Sequence, residues 1–299
     1  ERLAIMNRVV RRLHVSNGIW LGILWVISSL VILVFITIIV YLLLQGFTYL
    51  FNANFYSLDP NNVSAIGPEL FNTFYILILS EIFLVPIALA AAIYLVEYAR
   101  QGPFVTVIHF AAETLAGVPS IVLGLFGAIA FGAYAHLGTS RLTGALTLVC
   151  LNLPLALRLF EQALDTVPRD MREGGLALGS TKWHMIRTVV LPSALPGIVT
   201  GFILSAGKIV GEAAALLFTM GAFNPINVIN FNPLIASDTL TVHLWYVKTQ
   251  GAGSIQGLTP QVATAVSAGS AALLIIILMV INLGARGVGR LIQRRITAA

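Results

Sequence analysis

Apolar residues fill this chain in long unbroken blocks, separated by short polar stretches that carry most of the charge. A helix needs roughly 20 apolar residues to cross a bilayer. Blocks of that length or longer lie at about 19–44, 70–96, 105–134, 142–163, 196–222 and 262–286. They lack the strict alternation of membrane barrel strands. The pattern therefore predicts an all-α membrane protein with six transmembrane helices. The first block follows Arg8, Arg11 and Arg12. A signal peptide begins similarly, but its apolar core is roughly 7–15 residues. Trp20 to Leu44 is much longer and has no clean small-residue cleavage site, which makes it a retained span.

Six spans put both termini on one side. That side carries Arg2, Arg8, Arg11, Arg12, Arg100, Arg158, Arg169, Arg172, Lys182, Arg187, Arg286, Arg290, Arg294 and Arg295, against Arg141 and Lys248 on the other. Basic residues mark the cytoplasmic face. Both termini and the 164–194 loop are thus expected inside. The loops 45–68 and 223–260, rich in Asn, Pro, Gly and Ser, are expected outside. The organisation reads as a basic N-terminus (1–18), a first span with its loop (19–69), a five-span core (70–286) and a basic tail (287–299). Neither a second domain nor a short-period repeat is visible.

Composition agrees. Of 299 residues, 58% are apolar and 10% charged, with mean hydropathy +0.92. A soluble domain carries about 25% charged residues. The net charge of +5 gathers at span ends, which marks topology and not nucleic-acid binding. Cys150 is the only cysteine, so no intrachain disulfide exists. No His/Cys/Asp/Glu spacing suggests a metal site.

Ionisable residues inside spans are costly, roughly 2.5–3.5 kcal/mol each at mid-membrane. The fifth span accepts two, Lys208 and Glu212. Four apart on a helix, they share a face and can pair. One reading is a structural ion pair. The other is a cationic site on a central pathway, with Glu212 holding Lys208 until an oxyanion displaces it. Glu81 in the second span is either a structural hydrogen-bond partner or a pathway group. Glu113 reads as structural, His109 as a boundary histidine, and Arg158 as a topology anchor or a pathway cation. Pro86, Pro119 and Pro154 interrupt three spans and can kink them.

The 164–194 loop carries its own signal. Asp170 can cap a short helix that Gly179 ends in a left-handed conformation, and Ser180 or Thr181 can cap a second. That second helix presents Met185, Ile186, Val189 and Val190 at helical spacing. Pro192 and Pro196 are expected to break the chain before the fifth span. An amphipathic loop lying on the bilayer suits the basic residues and Trp183 as well. However, Arg172-Glu173-Gly174-Gly175 through Gly179 to Val189, Leu191 and Pro192 resembles the coupling-loop motif of ABC importer permeases. That pattern is Glu-Ala-Ala, three residues, Gly, nine residues, an aliphatic residue, any residue, Leu-Pro. Here Gly174 and Gly175 replace the alanines, at a helix cost of roughly 1 kcal/mol each. The resemblance implies a type I importer permease whose loop docks a cytosolic ATPase. The chain lacks a phosphate-binding loop of its own, since Gly207-Lys208 is followed by Ile209.

Three further runs resemble phosphate ABC transporter permeases of the PstA type: residues 92–98, 115–122 and 207–212. This chain has Lys208 where that family usually carries Arg, and Ala213-Ala214-Ala215 where it tends to show Thr-Ala-Pro. The resemblance implies a multi-pass protein of the bacterial plasma membrane, in lipid, with a homologous PstC-type permease as partner. Two cytosolic ABC ATPases would carry ATP and magnesium, and an external phosphate-binding protein would deliver substrate. This chain would bind no cofactor, nucleic acid or metal and would do no covalent chemistry. Alternatives are an importer of another oxyanion, such as molybdate or sulfate, a proton-coupled transporter using Glu81 and Glu212, and a scaffold that docks an ATPase for signalling.

Overall fold

The computed structural model describes residues 2–59, 62–177, 179–221, 229–250 and 258–297, with side chains from residue 16 to 284. Leu178, stretches 222–228 and 251–257 of the last long loop, and the side chains of Arg2, Arg8, Arg11, Arg12, Arg286, Arg290, Arg294 and Arg295 lie outside that description.

Helix α1 (Arg2–Leu50) contains the expected first span. Every side chain from Ser16 to Tyr41 is exposed, though nearly all are apolar. Such a surface is suited to lipid, not water. α1 packs on the final helix, α11 (Pro260–Thr297). A Cβ on Gly46 would lie 2.4 Å from Ala272 Cβ and 2.5 Å from the Ala268 carbonyl. Small residues let membrane helices meet this closely.

The core is built around α5 (Arg141–Asp165), which packs on α2 (Gly67–Ile93) and α8 (Leu191–Gly211). Ile76 and Leu84 of α2, Leu148, Phe160 and Leu164 of α5 and Ile209 of α8 are fully buried there. Pro86 and Pro154 sit inside continuous helices without breaking them.

The third span departs from the expected continuous 105–134 helix. It divides into α3 (Pro103–Ala116) and α4 (Ser120–Gly127), the latter prolonged by a π-turn to Tyr134, and the halves are bent by 100°. Pro119 lacks an amide proton and takes φ −57°, ψ 137°, so the helical ladder stops before it. The bend lays α4 against α9 (Ala214–Thr219). There Gly124 is required for space, since its Cβ would meet Ala215 Cα at 2.7 Å.

The fifth span also departs from expectation, at both ends. Pro192 and Pro196 do not break it. α7 (Lys182–Met185) runs through a π-turn at Ile186–Val190 into α8, giving one helical stretch Lys182–Gly211. The wide turn absorbs the hydrogen bonds that Pro192 cannot make. At the other end α8 stops at Gly211, and Glu212 is extended at φ −79°, ψ 130°. The break therefore forms without a proline at 215.

Five helices among the described residues are long and apolar enough to span a membrane, six when the bent pair counts as one. The segment expected as the last external loop also contains α10 (Leu240–Gln250), which packs on α2 and α11 through buried Leu240, Val242, His243 and Val247.

Candidate functional site

α3, α5 and α8 enclose an open cavity of about 380 Å³. Helical spacing supplies its polar wall. His109 and Glu113 are one turn apart on α3, Arg158 and Glu161 one turn apart on α5, and Lys208 faces them from the end of α8. An Arg158 Nη2–H donates to Glu113 Oε1 at 2.5 Å, with side chains 59% and 62% exposed. His109 Nε2 lies 3.2 Å from Glu161 Oε1. Among the described residues Lys208 has no ion-pair partner, and its side chain is exposed. The cavity thus offers one unengaged ammonium and one guanidinium held by an exchangeable carboxylate.

Lys208 does not pair with Glu212. The helix ends before residue 212, so four-residue spacing no longer brings the two side chains to one face. Glu212 Oε1 instead accepts the Ala215 amide at 3.2 Å and caps α9. Glu81 is 6% exposed and accepts the Ser205 hydroxyl at 2.8 Å, a contact between α2 and α8. Of the four pathway candidates, Lys208 and Arg158 come together in this cavity, while Glu81 and Glu212 are not among its lining residues. Glu161 escaped the sequence reading, although its spacing from Arg158 was a usable signal. Glu113 and His109, read as structural and boundary residues, line the cavity.

The 169–192 segment forms a compact knob. α6 (Arg169–Ala177) is followed by Gly179 at φ 80°, the left-handed conformation that favours glycine. Thr181 caps α7, its hydroxyl accepting the His184 amide at 3.3 Å. Asp170 falls within the first turn of α6 and not before it. Met185, Ile186 and Val190 turn inward and are buried. Gly175 lets α6 approach α7, as a Cβ there would lie 2.9 Å from Met185 Cγ, whereas Gly174 has open space. Leu191 is half-buried against the core and Pro192 is exposed at the start of α8. Glu173, Met171, Leu176 and Trp183 are exposed on the knob.

Arg172 works inside the chain. Its Nη2–H donates to the Leu164 carbonyl at 2.7 Å, and its Nε lies 3.0 Å from Oε1 of Glu97, whose side chain is 5% exposed. Lys182 Nζ donates to the Glu97 carbonyl and sits 5.0 Å over the Tyr98 ring. The knob is therefore fastened to the π-turn Tyr94–Tyr98 that follows α2, as well as being continuous with α8. Glu97 was not legible as this anchor, because its partners lie far along the chain.

Arg141, expected as a topology residue, is fully buried. It donates to Asn72 Oδ1 at 2.6 Å, Ser237 Oγ at 2.9 Å and the Asn230 carbonyl, and lies 5.0 Å over the Tyr75 ring. Neutral acceptors and an aromatic face thus hold the charge, joining α2, α5 and the segment before α10.

Comparison with known proteins adds an independent line. Residues 84–298 match the profile of the binding-protein-dependent transport system inner membrane component family. The chain is 34% identical over 306 residues to the probable ABC transporter permease protein YqgI of Bacillus subtilis, covering 98% of this chain and 100% of that one. It is 37% identical over 216 residues to the phosphate transport system permease protein PstA 1 of Mycobacterium tuberculosis, covering 72% and 67%. The inward-facing MetNI methionine ABC transporter superposes with TM-score 0.59 at 19% identity over 76% of this chain and 95% of that one, a likeness of fold. Sequence and fold together make this chain a member of the binding-protein-dependent transport system inner membrane component family.

Proposed function

We propose that the chain is the permease subunit of an ATP-driven importer of inorganic phosphate. The observation that carries this reading is the placement of Lys208 and Arg158 in one open cavity, in a chain similar to phosphate permeases. A phosphate oxyanion meets the free Lys208 ammonium first. It then competes with Glu113 for Arg158, whose planar guanidinium donates to two oxygens at once. Exchange of one anion for another keeps the guanidinium compensated throughout. Another oxyanion, sulfate or molybdate, fits the same charges and remains the second reading. The Glu81–Ser205 hydrogen bond lies apart from this cavity and does not favour a proton-coupled route.

The cavity is open, which suits completion by a second, homologous permease. The knob's outer surface suits a groove on each of two cytosolic ABC ATPases, which would hold ATP and magnesium. An external phosphate-binding protein would deliver substrate to the side of the 45–68 and 223–260 loops, with both termini in the cytoplasm. Closure of the ATPases would push the knob, and the Lys182–Gly211 helix would carry that push directly to Lys208.

The test is Lys208→Met in the assembled complex. Uptake should fall at least tenfold while all subunits still co-purify. Normal uptake by that variant removes Lys208 from the pathway.

A further inference from the structure

Three buried side chains meet where α2 begins and α10 begins, and the transport reading uses none of them. Glu69 lies in the first turn of α2, Asp238 precedes α10, and His243 is in the first turn of α10. Their exposures are 9%, 1% and 3%. His243 Nδ1 stands 3.7 Å from Glu69 Oε1 and 3.4 Å from Asp238 Oδ2. One nitrogen and two carboxylate oxygens fall within 4.8 Å of one another.

The charge balance of this cluster is unfavourable as it stands. Two carboxylates face a single imidazole, so ionised carboxylates leave excess negative charge even when the imidazole is protonated. Burying uncompensated charge is costly. The buried oxygens Glu69 Oε2 and Asp238 Oδ2 receive no hydrogen bond. Arg141 does not relieve them, because its guanidinium donates to Asn72, Ser237 and backbone carbonyls.

The groups are also held in place. The Leu240 amide donates to Thr73 Oγ1 at 2.9 Å, and that hydroxyl donates to the Glu69 carbonyl at 2.7 Å. The Val242 amide donates to Thr239 Oγ1 at 3.4 Å, and the His243 amide donates to the Thr239 carbonyl at 2.8 Å. α2 and the start of α10 are thereby fixed against each other around the three ligand atoms.

We propose that Glu69, Asp238 and His243 bind a divalent transition-metal ion of the zinc class, which clips α10 to α2. One imidazole nitrogen and two carboxylate oxygens are a zinc-type donor set. Bonds of about 2.0–2.2 Å place neighbouring tetrahedral ligands roughly 3.3–3.6 Å apart. The observed 3.4 and 3.7 Å separations need only small side-chain shifts to meet that. Magnesium, which demands six ligands in near-ideal octahedral geometry and keeps much of its water, fits this dry, mixed set less well. Because the ligands are split between α2 and the α10 segment, bound metal stabilises their contact. The sequence could not reveal the site, since its residues are too far apart for any ligand spacing to register.

The experiment uses the purified complex, stripped with a chelator, desalted and then given zinc alone. The wild type should retain about one zinc equivalent per permease chain above the His243→Ala complex, and its thermal midpoint should rise with added zinc. His243→Cys, which supplies another zinc ligand, should keep the metal. Asp238→Asn should weaken zinc binding at least tenfold. Chelation and re-addition on the wild type needs no variant to fold. A wild type that retains no zinc and whose midpoint ignores it overturns the proposal, as does equal retention by His243→Ala. Either result leaves a cluster held by protons alone.

Discussion

Glu113 and Arg158 form a short ion pair in a place where short ion pairs contribute little. Both side chains are more than half exposed, and exposed pairs contribute about 0–1 kcal/mol. In the proposed mechanism it holds the guanidinium in the cavity until another anion takes over. Glu113→Gln should therefore shift the complex's stability by less than about 1 kcal/mol. The phosphate concentration for half-maximal uptake should fall, because the competitor for Arg158 is gone. A large loss of stability with unchanged half-saturation would make the pair a structural tie. At this scale the sequence was a partial guide. It marked Lys208 and Arg158 by the cost of placing charge in a span. It misjudged the partner of Lys208, because a four-residue spacing says nothing once the helix ends at Gly211.

Among elements, two breaks in the helical ladder bring α4 and α9 together. The bend at Pro119 sends α4 across to α9, and the extended Glu212 sets α9 where α4 can reach it. Gly124 is the contact that both breaks serve, with Ala215 Cα 2.7 Å and its carbonyl oxygen 2.9 Å from a Cβ position. Backbone cannot yield as a side-chain tip can. Gly124→Leu should destabilise the permease by about 1–3 kcal/mol, read as a lowered thermal midpoint of the complex. An unchanged midpoint would mean that the α4–α9 contact is looser than described. The sequence marked the small residues and the proline, yet the 100° bend depends on packing partners far along the chain. Gly179 was legible because a left-handed C-cap is a local property, and its φ of 80° agrees. Pro192 was misread for the complementary reason, as a π-turn can absorb a proline that a regular α-helix would not tolerate.

For the whole molecule, the family is established and the proposed mechanism rests on continuity. The knob is bolted through Glu97 and Tyr98 to the π-turn that follows α2, and runs unbroken into the helix that ends near Lys208. Its exposed side chains include Glu173, Met171, Leu176 and Trp183. Glu173→Lys reverses the charge without disturbing the buried side. It should weaken co-purification of the ATPases, or leave ATP hydrolysis running without uptake. Unchanged docking and coupling would return the knob to a membrane-surface role. Charge labelling should find residues 45–68 outside and 164–194 inside, and the opposite result would invert the orientation. The number of spans was legible from block lengths. The way the spans enclose a cavity was not, since helices of similar hydropathy can be arranged in many ways.

The most direct measurement is ATP-dependent uptake of labelled phosphate by the purified complex in vesicles, with sulfate and molybdate as competitors. The account predicts uptake that requires ATP and persists in excess of both competitors. Uptake driven by a proton gradient without ATP, or ATP-driven uptake of sulfate or molybdate in place of phosphate, would contradict it.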